Sequence, residues 1–189
     1  MSIRLIVGLG NPGPDYQQTR HNAGAWFTQA IADSHQVTFQ VENKFHGLYA
    51  KVRNEQSDLY VLQPTTFMNQ SGKSVQAVAN YFKIAPAEIL VAHDELDLPV
   101  GTIRLKQDGG HAGHNGLRDI IAQLGSNKFL RLRIGIGHPG VRQQVHNYVL
   151  SRPNNADKQQ ITTAIETAAA VLPLLYTGNI QQAMQLLHT

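Results

Sequence analysis

Residues 7–13 read VGLGNPG and follow the apolar run Ile3–Val7, which is typical of a first β-strand. Gly8, Gly10 and Gly13 fit the G-x-G-x-x-G pattern of dinucleotide-binding loops. Dinucleotide binding requires such a loop to run directly into a helix, whose N-terminus then holds the pyrophosphate. The residues that follow the loop therefore decide what it is for.

Those residues do not fit dinucleotide binding. Pro12 and Pro14 flank Gly13, which favours a turn, and the first helical pattern begins only near Arg20. An acidic residue is expected about 20 residues further on, at the end of a second strand. Asp33 lies at about that distance, but within a helical pattern. We therefore expect the loop to serve another purpose at the end of the first strand.

The rest of the chain alternates between strand-like and helix-like segments. Short β-rich apolar runs occur at Arg4–Leu9, Leu48–Val52, Leu59–Leu62, Ile89–Ala92, Ile103–Leu105 and Leu130–Ile136. Apolar residues at helical spacing occur within Ala23–Ile31, Val75–Phe82, Leu117–Leu124, Ile161–Leu175 and Ile180–Leu187. Pro173 is expected to bend the fourth of these helices. The alternation predicts one α/β domain over residues 1–189, helical from about residue 154, and a hairpin across Asn54–Ser57 makes its sheet mixed.

The composition excludes several classes of protein. There are no cysteines, so disulfides and thiolate chemistry are excluded. No run of about 18 apolar residues suggests a membrane span, and the N-terminus lacks the pattern of a signal peptide. We therefore expect a cytoplasmic protein that does not associate with membranes.

Positive charge is concentrated in the second half of the chain. Residues 1–97 carry 7 basic and 9 acidic side chains, whereas residues 98–189 carry 9 basic and 4 acidic ones. No Asp or Glu occurs between Ile120 and Ala156. A one-sided basic surface favours a polyanion such as nucleic acid, although a solvated basic face without a partner has the same composition.

Polar side chains gather where the predicted strands end or the next helices begin. In chain order the four groups are Asn11, Tyr16 and His21; Phe67, Met68 and Asn69; His93, Asp94, Glu95 and Asp97; and His111, His114 and Asn115. Ligands of open α/β sheets bind beyond the carboxyl ends of the strands. We therefore expect these four loops to converge on one cleft.

The residue types in these loops suit the activation of water. A neutral histidine beside a carboxylate is a general base, and asparagine amides can donate to a developing oxyanion. There is no cysteine nucleophile and no serine in a G-x-S-x-G elbow. Taken singly, each residue also fits a turn, a helix cap or the core. Only their joint placement indicates a site.

A zinc site is the alternative interpretation of the same loops. His93, Asp94, His111 and His114 are suitable ligands. However, no H-E-x-x-H or comparable spacing occurs. Residues 109–116 are also too rich in glycine for a helix that would place both His111 and His114 on one face. We therefore expect no metal and no other cofactor.

Five stretches of the sequence together resemble bacterial-type peptidyl-tRNA hydrolases. They are VGLGNPGPDYQQTRHNAGAW (7–26), PTTFMNQSG (64–72), VAHDELDLPVG (91–101), GGHAGHNGLRDI (109–120) and RLRIGIGHPG (131–140). The match runs in order through about residue 150, and the helical tail after Ser151 is similar only loosely. The resemblance implies a monomeric, single-domain α/β fold with a twisted mixed sheet between helices. It also implies hydrolysis of the ester that joins a peptide to the 3′ end of tRNA, which recycles tRNA for translation.

The resemblance further implies roles for individual residues. His21 corresponds to the general base, Asp94 to the carboxylate that holds it, and Asn11 to the residue that reads the peptide amide. Substrate contacts are implied for Tyr16, Phe67, Met68, Asn69, His114 and Asn115. Contacts to tRNA phosphates are implied for Arg104, Lys106 and Arg133. The short loop at 126–129 leaves open whether Arg131 takes the place of Arg133.

Two other functions compete with ester hydrolysis. A non-catalytic RNA-binding relative would keep the basic face but lose the base, and a metal-dependent peptidase would need the zinc site. The presence of both His21 and Asp94 favours the hydrolase.

Overall fold

The sheet is built around the first strand, β1 (Leu5–Gly8). In the computed structural model, which describes residues 1–189, β1 pairs in parallel with β4 (Asp58–Pro64) and β5 (Ile89–Glu95). All four residues of β1 are buried, as in a strand that is covered by helices on both faces. The apolar run that precedes the glycine-rich loop is therefore a central strand.

Seven strands form one mixed sheet. The remaining strands are β2 (Gln40–Glu42), β3 (Gly47–Arg53), β6 (Ile103–Gln107) and β7 (Leu130–Gly135). Their order across the sheet is β2-β3-β4-β1-β5-β7-β6. β7 is parallel to β5, whereas β2 with β3, β3 with β4, and β6 with β7 are antiparallel. The predicted α/β class, the mixed sheet and the hairpin that joins β3 to β4 are confirmed.

Helices cover both faces of this sheet. They are α1 (Ala23–Ser34), α2 (Ser71–Phe82), α3 (Asn115–Leu124), α4 (Val145–Val149), α5 (Asn155–Ala170), α6 (Leu172–Tyr176) and α7 (Ile180–Leu187). Because side chains alternate along a strand, Ile6 belongs to a core with α1 and α5, and its neighbours Leu5 and Val7 to a core with α2 and α3. No helix combines the length and the hydrophobicity that a membrane crossing requires.

Three elements differ from the sequence-based prediction. The short strand β2 was not predicted because it lies at the edge of the sheet and leaves Val41 exposed, so apolar alternation is absent. The short helix α4 was not predicted either. The apolar pattern at 161–175 is not one bent helix, since α5 ends at Ala170 and α6 begins at Leu172. Pro173 has no N–H to donate to the Ala169 carbonyl, so the helix stops before it.

Helix α1 begins in close contact with the two central strands. A β-carbon at Gly24 would overlap the carbonyl oxygen of Ala92 in β5. The N–H of Ala25 donates to the Leu9 carbonyl at 3.1 Å. The first turn of α1 is therefore fixed at the carboxyl ends of β1 and β5.

Candidate active site

A cleft opens where the parallel strands β1, β4, β5 and β7 end. Its volume is about 1160 Å³, and it continues along the sheet face that carries Arg131 and Arg133. Its lining includes most of the predicted site residues: Asn11, His21, Phe67, Met68, Asn69, Asp94, Lys106, His114, Asn115 and Arg133. Tyr16 and Arg104 lie outside the lining. The structure therefore brings the four predicted loops together.

The fourth loop reaches the cleft by a route that the sequence did not indicate. β6 is antiparallel to β7, so its carboxyl end lies beside the amino end of β7, away from the cleft. Residues 108–114 carry the chain back along the sheet face. They do so with positive φ angles at several positions, including the non-glycine residues Asp108 (58°) and Ala112 (48°). The fourth loop therefore joins the cleft at the start of α3 and not at the end of β6.

Arg131 fixes the start of the returning loop. Its side chain is buried, and Nη1 donates to the carbonyl of Gly110 at 2.6 Å. Nη2 donates to the carbonyls of Gly109 and Asn127, and the guanidinium lies over the ring of Phe129, 4.5 Å from its centroid. Arg131 is therefore a structural residue of the loop.

His21 and Asp94 form the centre of the cleft. His21 lies in the 3₁₀ turn that precedes α1, and Asp94 lies near the end of β5. Nδ1 of His21 is 2.9 Å from Oδ2 of Asp94 and 3.0 Å from Oδ1. Because an ionised carboxylate only accepts, Nδ1 is the donor, and Nε2 of the neutral ring is left as an acceptor.

His114 makes the second contact to the same carboxylate. Its Nε2 donates to Oδ1 of Asp94 at 2.9 Å. As the N-cap of α3, its Nδ1 accepts from the N–H groups of Gly116 at 3.1 Å and Leu117 at 3.3 Å. Two backbone donors hold Nδ1 as an acceptor, so the ring is neutral and its tautomer is fixed. Histidine is not a preferred cap, so sequence patterns gave no sign of this role.

Burial and charge act in opposite directions on the pKa values of the central pair. Burial lowers the pKa of His21, but the charge of Asp94 and the hydrogen bond to it raise that pKa above its ordinary value. Burial raises the pKa of Asp94, but His21 and then His114 hold it well below its usual range. Asp94 therefore stays ionised and stabilises an imidazolium at His21.

Asn11 is held in a single orientation by three hydrogen bonds. Its N–H donates to Oδ1 of Asn22 at 2.9 Å, and Nδ2 of Asn22 donates to its carbonyl at 3.0 Å. Its own Oδ1 accepts from the N–H of Met68 at 2.7 Å. The amide Nδ2 of Asn11 is thus the group that remains for a ligand in the cleft. Sequence reasoning missed Asn22, for which its position next to His21 was the only signal.

The glycine-rich loop makes room for this arrangement. A β-carbon at Gly10 would lie only 2.7 Å from Nδ2 of Asn22. Gly13 has a φ of 98°, which other residues rarely adopt. These glycines therefore position Asn11 beside the cleft, in place of a phosphate-binding turn.

The other two asparagines lie at the starts of helices. Asn69 lies in the 3₁₀ turn Met68–Gln70 that leads into α2, and Asn115 is the first residue of α3. Oδ1 of Asn115 accepts from Nη1 of Arg118 at 3.2 Å, so its Nδ2 is free to donate into the cleft. Both side chains belong to exposed residues of the lining.

An exposed aromatic side chain forms one rim of the cleft. Phe67 is 57% exposed. Tyr16 contacts it edge-to-face, with 6.3 Å between the ring centroids. Tyr16 therefore packs against the rim although it does not line the cleft.

The basic side chains of β6 and β7 differ in what they offer to a ligand. Nε of Arg133 donates to Glu95 at 2.8 Å, and its terminal nitrogens have no partner in the protein. Lys106 is exposed and lines the cleft. Nη1 of Arg104 instead donates to the carbonyl of Ile103 at 2.9 Å, outside the cleft. Arg133, in contrast to the buried Arg131, presents its charge to the cleft.

The four residues considered as zinc ligands do not come together as a set. Nδ1 of His93 donates to the carbonyl of Asp94 at 2.8 Å, and burial lowers the pKa of His93 to about 4. Nδ1 of His111 accepts from the N–H of Gly113 at 2.9 Å. The side chains that could hold a metal ion are instead those of His21, Asp94 and His114, whose ligand atoms lie within 4.8 Å of one another. An ion there would replace both hydrogen bonds to Asp94.

The chain matches known proteins over nearly its whole length. Residues 5–189 match the family model described as peptidyl-tRNA hydrolase. The peptidyl-tRNA hydrolase of Pseudomonas putida (strain GB-1) is 54% identical over 189 residues, which cover 100% of this chain and 97% of that relative. The one of Coxiella burnetii (strain CbuK_Q154) is 53% identical over 187 residues, covering 99% of this chain and 98% of that relative.

A solved structure gives the same result. The crystal structure of peptidyl-tRNA hydrolase from Acinetobacter baumannii superimposes with a TM-score of 0.95 at 48% sequence identity. The match covers 98% of this chain and 94% of that one. Because the family model matches residues 5–189 and relatives are identical at more than half of their residues, the chain belongs to the peptidyl-tRNA hydrolase family.

Proposed function

We propose that this chain hydrolyses the ester of peptidyl-tRNA, or of another N-blocked aminoacyl-tRNA, by a water molecule that His21 activates. The observation that carries the proposal is the pair of His21 and Asp94. With Nδ1 of His21 donating to the carboxylate at 2.9 Å, Nε2 is an unprotonated acceptor. The products are a free peptide and a tRNA that returns to translation.

The pair supplies the proton transfers of ester hydrolysis. Nε2 of His21 takes a proton from water as the water oxygen attacks the ester carbonyl carbon. Asp94 stabilises the imidazolium, and the amide donors of Asn69 and Asn115 stabilise the oxyanion. When the tetrahedral intermediate collapses, the ester C–O bond breaks and the proton on Nε2 passes to the leaving 3′-oxygen of the tRNA.

The reaction proceeds without a covalent enzyme intermediate. The chain has no cysteine, and no serine or threonine hydroxyl is hydrogen-bonded to His21. A nucleophile–base pair within hydrogen-bond distance is the usual sign of covalent catalysis. Water is therefore the nucleophile that the geometry favours.

Asn11 reads whether the substrate is blocked. Its Nδ2 donates to the carbonyl of the peptide unit next to the ester. A free aminoacyl group offers an ammonium there, which can only donate and leaves Nδ2 unpaired. Phe67, with Tyr16 behind it, and Met68 form the wall against which the 3′-terminal nucleotide or the peptide backbone lies.

The tRNA is held through phosphates of its acceptor stem. Lys106 and Arg133 contact phosphates from within the cleft, and Arg104 contacts them at the outer edge of the sheet. Such contacts grip the backbone without reading its sequence, as an enzyme that serves every tRNA requires. The protein acts as a monomer in the cytoplasm and needs no cofactor.

Multiple-turnover hydrolysis of an N-acetyl-aminoacyl-tRNA tests the proposal. His21→Ala is expected to slow turnover by about 100-fold or more, as for loss of a general base. His35→Ala, which removes an exposed histidine at the end of α1, is the matched control and keeps the wild-type rate. A chelator leaves the wild type unaffected, and free tRNA is released without an initial burst. An inactive wild type that still binds tRNA would instead indicate an RNA-binding protein, and chelator inhibition would indicate a metal enzyme.

A further inference from the structure

Helix α2 begins without a cap of its own. The side chain of its N-cap residue, Gln70, makes no capping hydrogen bond, and the first turn contains no acidic residue. Instead, Oδ2 of Asp119, which lies in α3, accepts from the N–H of Gly72 at 2.7 Å. A carboxylate beside a helix N-terminus also interacts favourably with the helix dipole. One side chain of α3 therefore caps α2.

This bond joins the two helix starts that carry the asparagines of the cleft. Gly72 comes three residues after Asn69, and Asp119 comes one turn after Asn115. A β-carbon at Gly72 would overlap the carbonyl oxygen of Asp119, so the two helices touch there through their main chains. The contact therefore joins the helix starts that lie next to Asn69 and Asn115.

A second hydrogen bond between the same helices lies further from the cleft. Nε2 of Gln76 donates to the carbonyl of Gln123 at 2.8 Å, one turn beyond Gly72 and one turn beyond Asp119. It holds α2 to α3 in the same way but is remote from both asparagines. The chain therefore contains a matched control for the bond of Asp119.

We infer that Asp119 is a positioning residue, which holds Asn69 and Asn115 at the separation at which both amides contact the substrate. The inference rests on the proposed function of these two amides. Asp119 does not touch the substrate and acts only through the start of α2. Removing the Asp119 side chain therefore lowers activity only in a protein that still has Asn69.

The test is kcat/KM for an N-acetyl-aminoacyl-tRNA in four single variants and in the double variant of Asp119→Ala with Asn69→Ala. Asp119→Ala is expected to lower kcat/KM about tenfold, since a misplacement of about 1 Å costs up to about 100-fold. Asp119→Asn keeps an acceptor oxygen for Gly72 and is expected to restore most of the rate. Gln76→Ala is expected to change kcat/KM by less than about twofold, although it also removes a bond between the helices.

Combination with Asn69→Ala separates positioning from a general loss of structure. In that background Asp119→Ala is expected to have less than about a threefold effect, because contributions that act through one group are not additive. A tenfold effect in both backgrounds, or an equal effect of Gln76→Ala, would overturn the inference. The inference would also fail if Asp119→Ala left kcat/KM unchanged.

Two further results keep the inference distinct from the proposed function. If Asn69→Ala alone leaves kcat/KM unchanged, the proposed substrate contact of Asn69 fails and the inference fails with it. If Asn69→Ala is slow but Asp119→Ala is not, only the inference fails. If Asp119→Ala does not fold, hydrogen exchange of the Gly72 N–H is measured in the wild type instead. This N–H must exchange slowly if Asp119 holds it, and rapid exchange would overturn the inference.

Discussion

Replacing Asn11 by aspartate changes one group in the cleft and leaves the rest of its loop in place. One carboxylate oxygen takes the position of Oδ1 and still accepts the Met68 N–H, which lies 2.7 Å away in the wild type. The main chain of residue 11 stays bonded to Asn22 on both sides. Only the Nδ2 amide, the proposed reader of the peptide carbonyl, becomes an acceptor.

The expected magnitude follows from that single exchange. A peptide carbonyl that faces an acceptor is left unpaired, which costs about 1–3 kcal/mol, or about 5- to 150-fold in kcat/KM. A free α-ammonium group gains a carboxylate acceptor at the same place. The ratio of kcat/KM for the blocked substrate to that for the unblocked one therefore falls by at least this factor.

The assay compares two substrates with one tRNA body. Rates of N-acetyl-aminoacyl-tRNA and of the free aminoacyl-tRNA are measured in parallel for the wild type, Asn11→Asp and Asn11→Ala. The alanine variant also leaves the Met68 N–H without its acceptor, so it is expected to lose both discrimination and rate. Wild-type and Asn11→Asp ratios that agree within about twofold would refute the reasoning that Nδ2 reads the blocked end.

The remaining predictions concern the base and the basic face. Asp94→Asn removes the charge that raises the pKa of His21, and the base must be unprotonated, so the rise of kcat/KM with pH is expected at a lower pH than in the wild type. The plateau of kcat/KM at high pH is expected to be about 100-fold or more lower in the variant. pH–rate profiles of both proteins check this, and an inflection at the same pH in both would contradict it. Arg133→Gln is expected to reduce the slope of log affinity for tRNA against log salt by about one, whereas Arg131→Gln should mainly lower the melting temperature. Titrations and thermal unfolding of the two variants distinguish these effects, and the same salt slope in both would contradict the different roles of the two arginines.

Much of the fold could be predicted from local patterns. The run before the glycine-rich loop, the hairpin around Asn54 and the three amphipathic helices α1, α2 and α3 are each encoded by neighbouring residues. β2 could not be predicted, because an edge strand of three residues with Val41 exposed has no buried face. The break between α5 and α6 depends on Pro173, whose effect on a helix is either a bend or an end, and the sequence alone does not decide between them.

The candidate site was predicted less completely, because its hydrogen bonds connect distant segments. The loops that meet at the cleft were predictable, since polar residues follow the parallel strands β1, β4 and β5 or precede helix α3. The hydrogen bonds of Asn22 to Asn11, the fixed tautomer of His114 and the buried place of Arg131 were not. Each depends on backbone groups whose positions no sequence pattern predicts. The direction of β6, whose carboxyl end points away from the cleft, was not predicted either.

The close approaches at Gly24 and Gly72 have a mechanical consequence. Both glycines lie in the first turn of a helix, directly after the turns that carry His21 and Asn69, and both touch main-chain oxygens of neighbouring elements. α1 and α2 are therefore each anchored at the end that lies at the cleft. Because these contacts lie next to the cleft, the main chain beside His21 and Asn69 has little room to shift.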